Sequence, residues 1–244
     1  MNPLVEWPRA QYWDKCWNPW IGCWPCSPAC DNCYAATLAR RFKMSFKPHE
    51  TKQKPPRSGV VFCGNMTDIF GEWMGVMDAA EIVKRTLGNS HKAKYIWLTK
   101  RPKQMVAALH DGILTYFAYF AEDFDLSNQY FGFTAENQEW YDRRLADFSA
   151  MPKWANSWLS AEPLLGPLDI SGHPPFEWVV VGCESGPWRR PCKVEWVEGI
   201  VAQAQARGIP VFVKQLDIGG KCVTDITKFP KHLQIRQVPW TEGN

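Results

Sequence analysis

The chain has 244 residues, 45% of them hydrophobic and 22% charged, enough for one large domain with a substantial core. Its formal net charge of +3 is too small to mark a nucleic-acid footprint by itself, although a local patch such as Arg40, Arg41, Lys43 and Lys47 would serve as one. No apolar run approaches the roughly 20 residues that span a bilayer, and Met1 to Arg9 lacks the apolar centre of a signal peptide, so a cytoplasmic protein is expected. Nine cysteines in a reducing compartment favour metal binding or redox chemistry over disulfides. Fourteen tryptophans point to an aromatic-rich core, with several rings free to line a cleft.

In chain order, residues 1–12 read as a loosely held lead-in, and Trp13 to Ile21 as an extended first segment broken by Pro19. From Cys16 to Tyr34 the sequence CWNPWIGCWPCSPACDNCY holds five of the nine cysteines. Its centre, Cys23-x2-Cys26-x3-Cys30-x2-Cys33, is too short to aim four thiols into two unstrained bridges, and reads as a metal nest stiffened by Pro25 and Pro28. Zinc ribbons set their two C-x2-C knuckles roughly 15 to 20 residues apart, whereas only Ser27, Pro28 and Ala29 part them here. Iron-sulfur ligation tolerates that density better; the competing readings are a closed structural site and buried reduced thiols without metal. Asp31 and Asn32 are placed to cap a helix running to about Met44, which sets Cys33 at its positive end. A basic, proline-rich loop with Lys47, Lys52, Lys54 and Arg57 follows, either simply solvated or facing a phosphate.

From Val60 one arrangement repeats: a short apolar run, a polar motif, then a helical stretch. VVFC leads into GNMTDIF and a helix near Asp78 to Leu87, KYIWL into TKRP and a helix to about His110, and QYFGF into TAENQ and the stretch Glu139 to Phe148. SWLS leads into AEPLLGP, EWVVV into GCESGP and a helix from Glu195 to Arg207, and PVFV into KQLDIGG. With the first segment these make seven strand-helix units or fragments, which predicts an α/β fold, a (β/α) barrel, partial or complete. An open doubly wound sheet is the alternative, and it lacks the G-x-G-x-x-G cradle of a dinucleotide site. No linker divides the chain, so a single domain over 1–244 is expected, with the cysteine loop at 16–34 and a C-terminal tail from about 221.

Each polar motif follows the carboxyl end of a strand, and in a barrel those ends share the face on which active sites are built. Asn65 and Asp68, Lys100 and Arg101, Glu136 and Asn137, Glu162, Glu184 and Ser185, and Lys214 and Gln215 are therefore expected at a mouth beside the cysteine loop. Singly, each has a plainer explanation: Asp68 or Asn137 as a helix cap, Glu162 before Pro163 as a strand end, Lys100 with Arg101 as a solvated turn. Six such positions in register imply a polar ligand that needs both signs of charge.

Taken in order, WNPWIGC, CDNCYA, GNMTDIF, LTKRP, TAENQ, LSAEPLLGP, WVVVGCESGP and VFVKQLDIGG resemble the phage-borne three-cysteine proteins of uncharacterised function found in bacteriophages and prophages. That family looks like a divergent branch of the radical SAM barrels, with distant likeness to spore photoproduct lyase. The match runs from about Trp17 to Gly220. The resemblance implies a partial or full radical SAM-like barrel of TIM-barrel type, one [4Fe-4S] cluster on three cysteines, and S-adenosylmethionine at the open iron. The family's wider spacing selects Cys23, Cys30 and Cys33, whereas the standard radical SAM spacing, C-x3-C-x2-C, selects Cys26 as the first ligand. Typical radical SAM loops also carry an aromatic residue just before the last cysteine; this chain has Asn32 there and Tyr34 after it.

On the same resemblance, Asn65 and Asp68 stand where such barrels meet the ammonium of the cofactor, and Lys100, Arg101 or Lys214 would meet its carboxylate or a substrate phosphate. Glu136, Glu162 and Glu184 complete the implied cofactor-binding set. Trp17, Trp20 and Trp24 either shield the cluster or fill the barrel mouth. The implied activity uses an electron donor to cleave S-adenosylmethionine reductively and modifies or repairs a nucleotide or nucleic acid in the host cytoplasm. The competing reading is a non-catalytic phage accessory protein, whose structural iron-sulfur or zinc site supports binding to host protein or nucleic acid.

Overall fold

The computed structural model describes residues 5–87, 92–114, 126–172 and 176–240. Its strands are β1 (Val5–Glu6), β2 (Lys15–Trp17), β3 (Trp20–Ile21), β4 (His49–Glu50), β5 (Gly59–Cys63), β6 (Ala93–Thr99), β7 (Gln129–Thr134), β8 (Asn156–Ala161), β9 (Trp178–Gly182), β10 (Val211–Ile218), β11 (Lys221–Val223) and β12 (Gln237–Val238). The helices are α1 (Tyr34–Arg41), α2 (Val76–Lys84), α3 (Pro102–Ala107), α4 (Gln138–Phe148) and α5 (Val194–Ala206), and α3 runs on as a π-helix over Ala108–Leu114.

One eight-stranded sheet, in the order β11-β10-β9-β8-β7-β6-β5-β2, organises the chain. Its seven strands from β2 to β10 pair in parallel, and β11 closes one edge antiparallel to β10. The sheet curls into a half-barrel, so the partial form of the expected barrel is the one observed. Side-chain alternation along each strand separates two cores. Val61, Trp97, Phe131, Leu159, Val181 and Val213 face outward and pack beneath the helices. Phe62, Ile96, Tyr130, Trp158, Trp178 and Phe212 face inward and fill the concave side. Gly132 lacks a side chain because the Trp158 ring occupies its place; a Cβ there would lie 2.5 Å from that ring.

A half-barrel leaves its concave side uncovered, and the two ends of the chain supply the cover. Trp7 and Tyr12 are buried against the inner core together with Val238 and Trp240, and β1 pairs with β12. Trp240 lies against Tyr130 and Trp178, near the amino ends of their strands. Each such aromatic removes enough apolar surface from water to contribute about 1.5–3 kcal/mol. The described part of residues 1–12 is therefore not a loose lead-in, and the stretch from about 221, expected as a tail, is a sheet edge and a plug.

The helices fall close to their expected positions with informative shifts. α1 ends at Arg41 rather than Met44, and Cys33, not Asp31 or Asn32, holds its cap position without a side-chain cap bond. Asn137 caps α4 by accepting from Trp140 N at 3.1 Å, as expected. Among the described residues no helix separates β8 from β9. None of the helices there is long and apolar enough to cross a membrane.

Candidate active site

The cysteine loop lies over the carboxyl ends of the strands and is tied down at its start by Gly22. The Gly22 N–H donates to Met66 O (3.0 Å) and its carbonyl accepts from Thr67 Oγ1 (2.6 Å). Gly22 adopts φ +97°, and a Cβ there would strike the Lys47 backbone at 2.5 Å, so only glycine fits the turn into Cys23.

Three carboxylates paired with arginines then hold the loop, Asp68 and Glu184 through the arginine and Glu136 directly. Asp68 accepts from Thr99 Oγ1 (2.7 Å), Lys100 N (3.0 Å), Phe70 N (3.1 Å) and Arg101 Nη1 (3.2 Å), while Arg101 Nη2 donates to Trp24 O (2.9 Å). Glu136, fully buried, pairs with Arg144 Nη1 (2.5 Å) and accepts from the Ala29 N–H of the loop (3.4 Å). Glu184 accepts from the Arg190 N–H and guanidinium and from Asn32 Nδ2 (2.9 Å), and Arg190 reaches Pro28 O (2.8 Å) and Asp31 (3.3 Å). Burial alone would raise the Glu184 pKa, but the bonds from Arg190 and Asn32 outweigh it and hold the carboxyl below its usual range. The sequence placed Asp68, Glu136 and Glu184 at the mouth, and there they are; their charges, however, are answered by arginines of the same chain.

Lys100, Glu162 and Lys214 are disposed differently. They continue the even-numbered inward series of Leu98, Ser160 and Phe212, and with Tyr12, Trp13 and Phe62 they line a cavity of about 350 Å³. Lys214 Nζ bonds Glu162 Oε1 at 2.7 Å and stands over the Tyr12 and Trp13 rings, at 5.8 and 5.3 Å from their centroids. Gln215 Nε2 donates to the same Glu162 oxygen at 2.7 Å. Among the described residues the Lys100 ammonium makes no hydrogen bond or ion pair. Burial alone would lower its pKa, but negative charge at Cys30 and Cys33 outweighs that and the net shift is upward.

Lys100 also lines an adjoining cavity of about 130 Å³, and so do Cys23, Cys30, Cys33, Asn65 and Asp68. Cys26 is absent from that lining, and its interaction with Cys30 raises its own pKa and lowers that of Cys30. Burial, then the Asp68 charge, pushes Cys23 up to about 12. Asn65 is held by Asn18 Nδ2 on its Oδ1 (2.7 Å) and by the Tyr34 hydroxyl on its carbonyl. Among the described residues no three His, Cys, Asp or Glu side chains converge tightly enough to hold one metal ion. A single zinc needs its donors about 2.0–2.3 Å from one point. Three thiols spaced around a cavity suit a larger polynuclear group better than a lone ion.

Trp17 is buried in the outer core against Trp97 rather than around the loop, and Trp24 is half exposed beside Trp73. The rim carries Trp188, 80% exposed, across a groove from Tyr34, Leu38 and Arg40 of α1. Arg144, Arg190 and Trp188 escaped sequence reasoning. Arg144 had a legible signal, since it interrupts the apolar stripe Tyr141, Arg144, Phe148 of α4, where a buried cation demands a carboxylate.

The profile of a family described as a protein of unknown function (DUF5131) matches residues 8–238, nearly the whole chain. Neither a curated protein nor a solved structure matches it.

Proposed function

The chain belongs to the DUF5131 family, and we propose that it is a radical SAM-like iron-sulfur enzyme of phage or prophage origin that modifies or repairs a nucleotide or nucleic acid. The observation that carries this reading is the pair of adjoining cavities: Cys23, Cys30 and Cys33 border the smaller, and Lys100 and Cys33 border both. Cys23, Cys30 and Cys33 would hold a [4Fe-4S] cluster, which when bound supplies the electron for reductive cleavage of S-adenosylmethionine. The Lys100 ammonium, without a hydrogen-bond or ion-pair partner among the described residues, would bind the cofactor's carboxylate, and Glu162, anchored by Lys214 and Gln215, would offer an oxygen to its ammonium. Tyr12, Trp13 and Phe62 supply ring surface for a base, and Arg101, Arg190 and Glu136 fix the loop over it. A nucleic-acid substrate is supported by the rim, where Trp188 offers a stacking face and the exposed Arg40, Arg41, Lys43 and Lys47 offer phosphate partners.

The test is anaerobic purification with iron and sulfide analysis, followed by an assay for 5′-deoxyadenosine after reduction. About four irons and four sulfides per chain are expected. Cys23→Ala, Cys30→Ala and Cys33→Ala each lose them, and Cys26→Ala retains most. Stoichiometric zinc in protein made with ample iron removes the radical reading. The close spacing of Cys23, Cys26, Cys30 and Cys33 favours one second reading, a closed four-thiolate structural site in a non-catalytic binding protein; iron loss in all four variants would select it.

A further inference from the structure

Three cysteines, Cys183, Cys192 and Cys222, take no part in the loop or in the arginine clamps, and Cys183 lines the large cavity. Cys183 follows β9 and Cys222 belongs to β11, so the two flank β10. Their sulfurs lie 3.8 Å apart, with the Cys183 thiol donating to Cys222. Cys183 is buried and lines the large cavity, while Cys222 is half-buried and open to a small reagent. The ladder sets the two on either side of β10: Cys183 N donates to Gln215 O (3.2 Å), and Cys222 stands opposite Asp217.

We propose that Cys183 and Cys222 form a dithiol–disulfide site that exchanges with low-molecular-weight disulfides such as oxidised glutathione. Cys222 is the attacking sulfur because it is the accessible one. The hydrogen bond from Cys183, aided by Arg189 and Lys214, also lowers its pKa against burial and Glu162, whereas Cys183 is pushed up. In the first step the Cys222 thiolate bonds to one sulfur of the small disulfide, whose S–S bond breaks, and the displaced thiolate takes a proton from water. In the second, Cys183 gives up its proton and its sulfur attacks Cys222 Sγ, forming the Cys183–Cys222 bond and expelling the second small thiol. Two protein thiols are thereby oxidised and one disulfide is reduced to two thiols. The sulfurs must close from 3.8 Å to about 2.05 Å, which requires the edge strand β11, paired on one side only, to move toward Cys183. Cys192 is a poor competitor, since burial, then Asp217, pushes it up to about 12. The Cys183 carbonyl accepts from Gln215 Nε2 (2.7 Å), which also holds Glu162, so closing this disulfide bears on the Glu162–Lys214 pair of the cavity. Nothing in this site depends on the cysteine loop holding a cluster.

The experiment equilibrates the full chain with graded mixtures of oxidised and reduced glutathione, blocks free thiols by alkylation, and maps tryptic peptides by mass spectrometry. Cleavage after Arg189, Lys193 and Lys221 places Cys183, Cys192 and Cys222 on three different peptides. The expected product is the linked peptide pair carrying Cys183 and Cys222, lighter by two hydrogens and separated by dithiothreitol. Cys222→Ala should cut modification of Cys183 roughly tenfold, Cys183→Ala should leave a glutathione adduct stranded on Cys222, and Cys192→Ala should change nothing. A link from either cysteine to Cys192, equal modification of Cys183 in Cys222→Ala, or free alkylation of both thiols at every ratio would overturn the proposal. Should Cys183→Ala fail to fold, the wild-type map and Cys222→Ala decide alone.

Discussion

Two sets of charged side chains occupy the same end of the half-barrel and have opposite fates. Lys100 and Glu162 come one residue after their strands and Lys214 lies within its own, so strand alternation still governs them and turns all three into the cavity. Asp68, Glu136 and Glu184 stand two or more residues beyond theirs, where the chain has left the sheet, and each is neutralised by an arginine, even though Glu184 and Asp68 also border the cavities. Charge at a strand end therefore says little about ligand contact until its distance from the last paired residue is known. One set should matter to folding and the other to binding, and substitutions can separate them.

The largest effect on stability is expected at Glu136. Its carboxylate and the Arg144 guanidinium are both almost wholly buried, so Glu136→Ala leaves an uncompensated buried cation and should cost about 3–5 kcal/mol in denaturant unfolding. Adding Arg144→Met should recover much of that loss, because desolvation of the pair offsets most of its attraction. A cost under about 1 kcal/mol, typical of an exposed pair, would mean that this clamp does not hold the loop.

A middle effect belongs to Glu184, and it depends on pH. Its folded carboxyl titrates below the usual range, so the stabilisation is full above the unfolded value of about 4.3 and fades as pH falls through the folded pKa. Glu184→Gln should cost about 1–3 kcal/mol near neutrality, through weakened charge-assisted bonds to Arg190 and Asn32. The gap in melting temperature between the two proteins should close on acidification. A gap that is constant from neutral pH down through the acid limb would assign the cost to packing. Freed from Arg190, residues 28–32 should also expose Cys30 and Cys33 faster to a thiol reagent.

Much of this frame was legible in the sequence, because VVFC, KYIWL, QYFGF, SWLS, EWVVV and PVFV are local signals and each became a parallel strand. The mouth was legible too, since strand ends collect on one face whatever the side chains do. What stayed hidden was carried by distant partners. Glu6 accepts from Arg236 N across 230 residues, and Asn32 reaches Glu184 across 152, so neither the plug nor the loop clamp leaves any local periodicity. Asp31 and Asn32 looked like helix caps because the types are right; tertiary partners drew both side chains away.

The smallest stability effect, and the sharpest contrast, is expected at Lys100. Its ammonium has no hydrogen-bond or ion-pair partner to lose among the described residues, so Lys100→Met should leave unfolding within about 0.5 kcal/mol of the parent. Lys214→Met should lie between the two sets, because Glu162 loses its cation yet keeps the 2.7 Å bond from Gln215 Nε2. Binding should reverse the order: on the proposed function, Lys100→Met weakens S-adenosylmethionine by about 1.5–3 kcal/mol in calorimetry, the worth of a hydrogen bond to a charged group. Met keeps most of the lysine stem's volume, so altered packing does not account for such a loss. If Lys100→Met instead unfolds the protein as readily as Glu136→Ala, both sets are structural and the cavity has no free charge to offer a ligand. If it changes neither stability nor affinity, the cofactor's carboxylate is met elsewhere, and Arg101, already committed to Asp68, Glu72 and the Trp24 carbonyl, is the other cation beside the cysteines among the described residues.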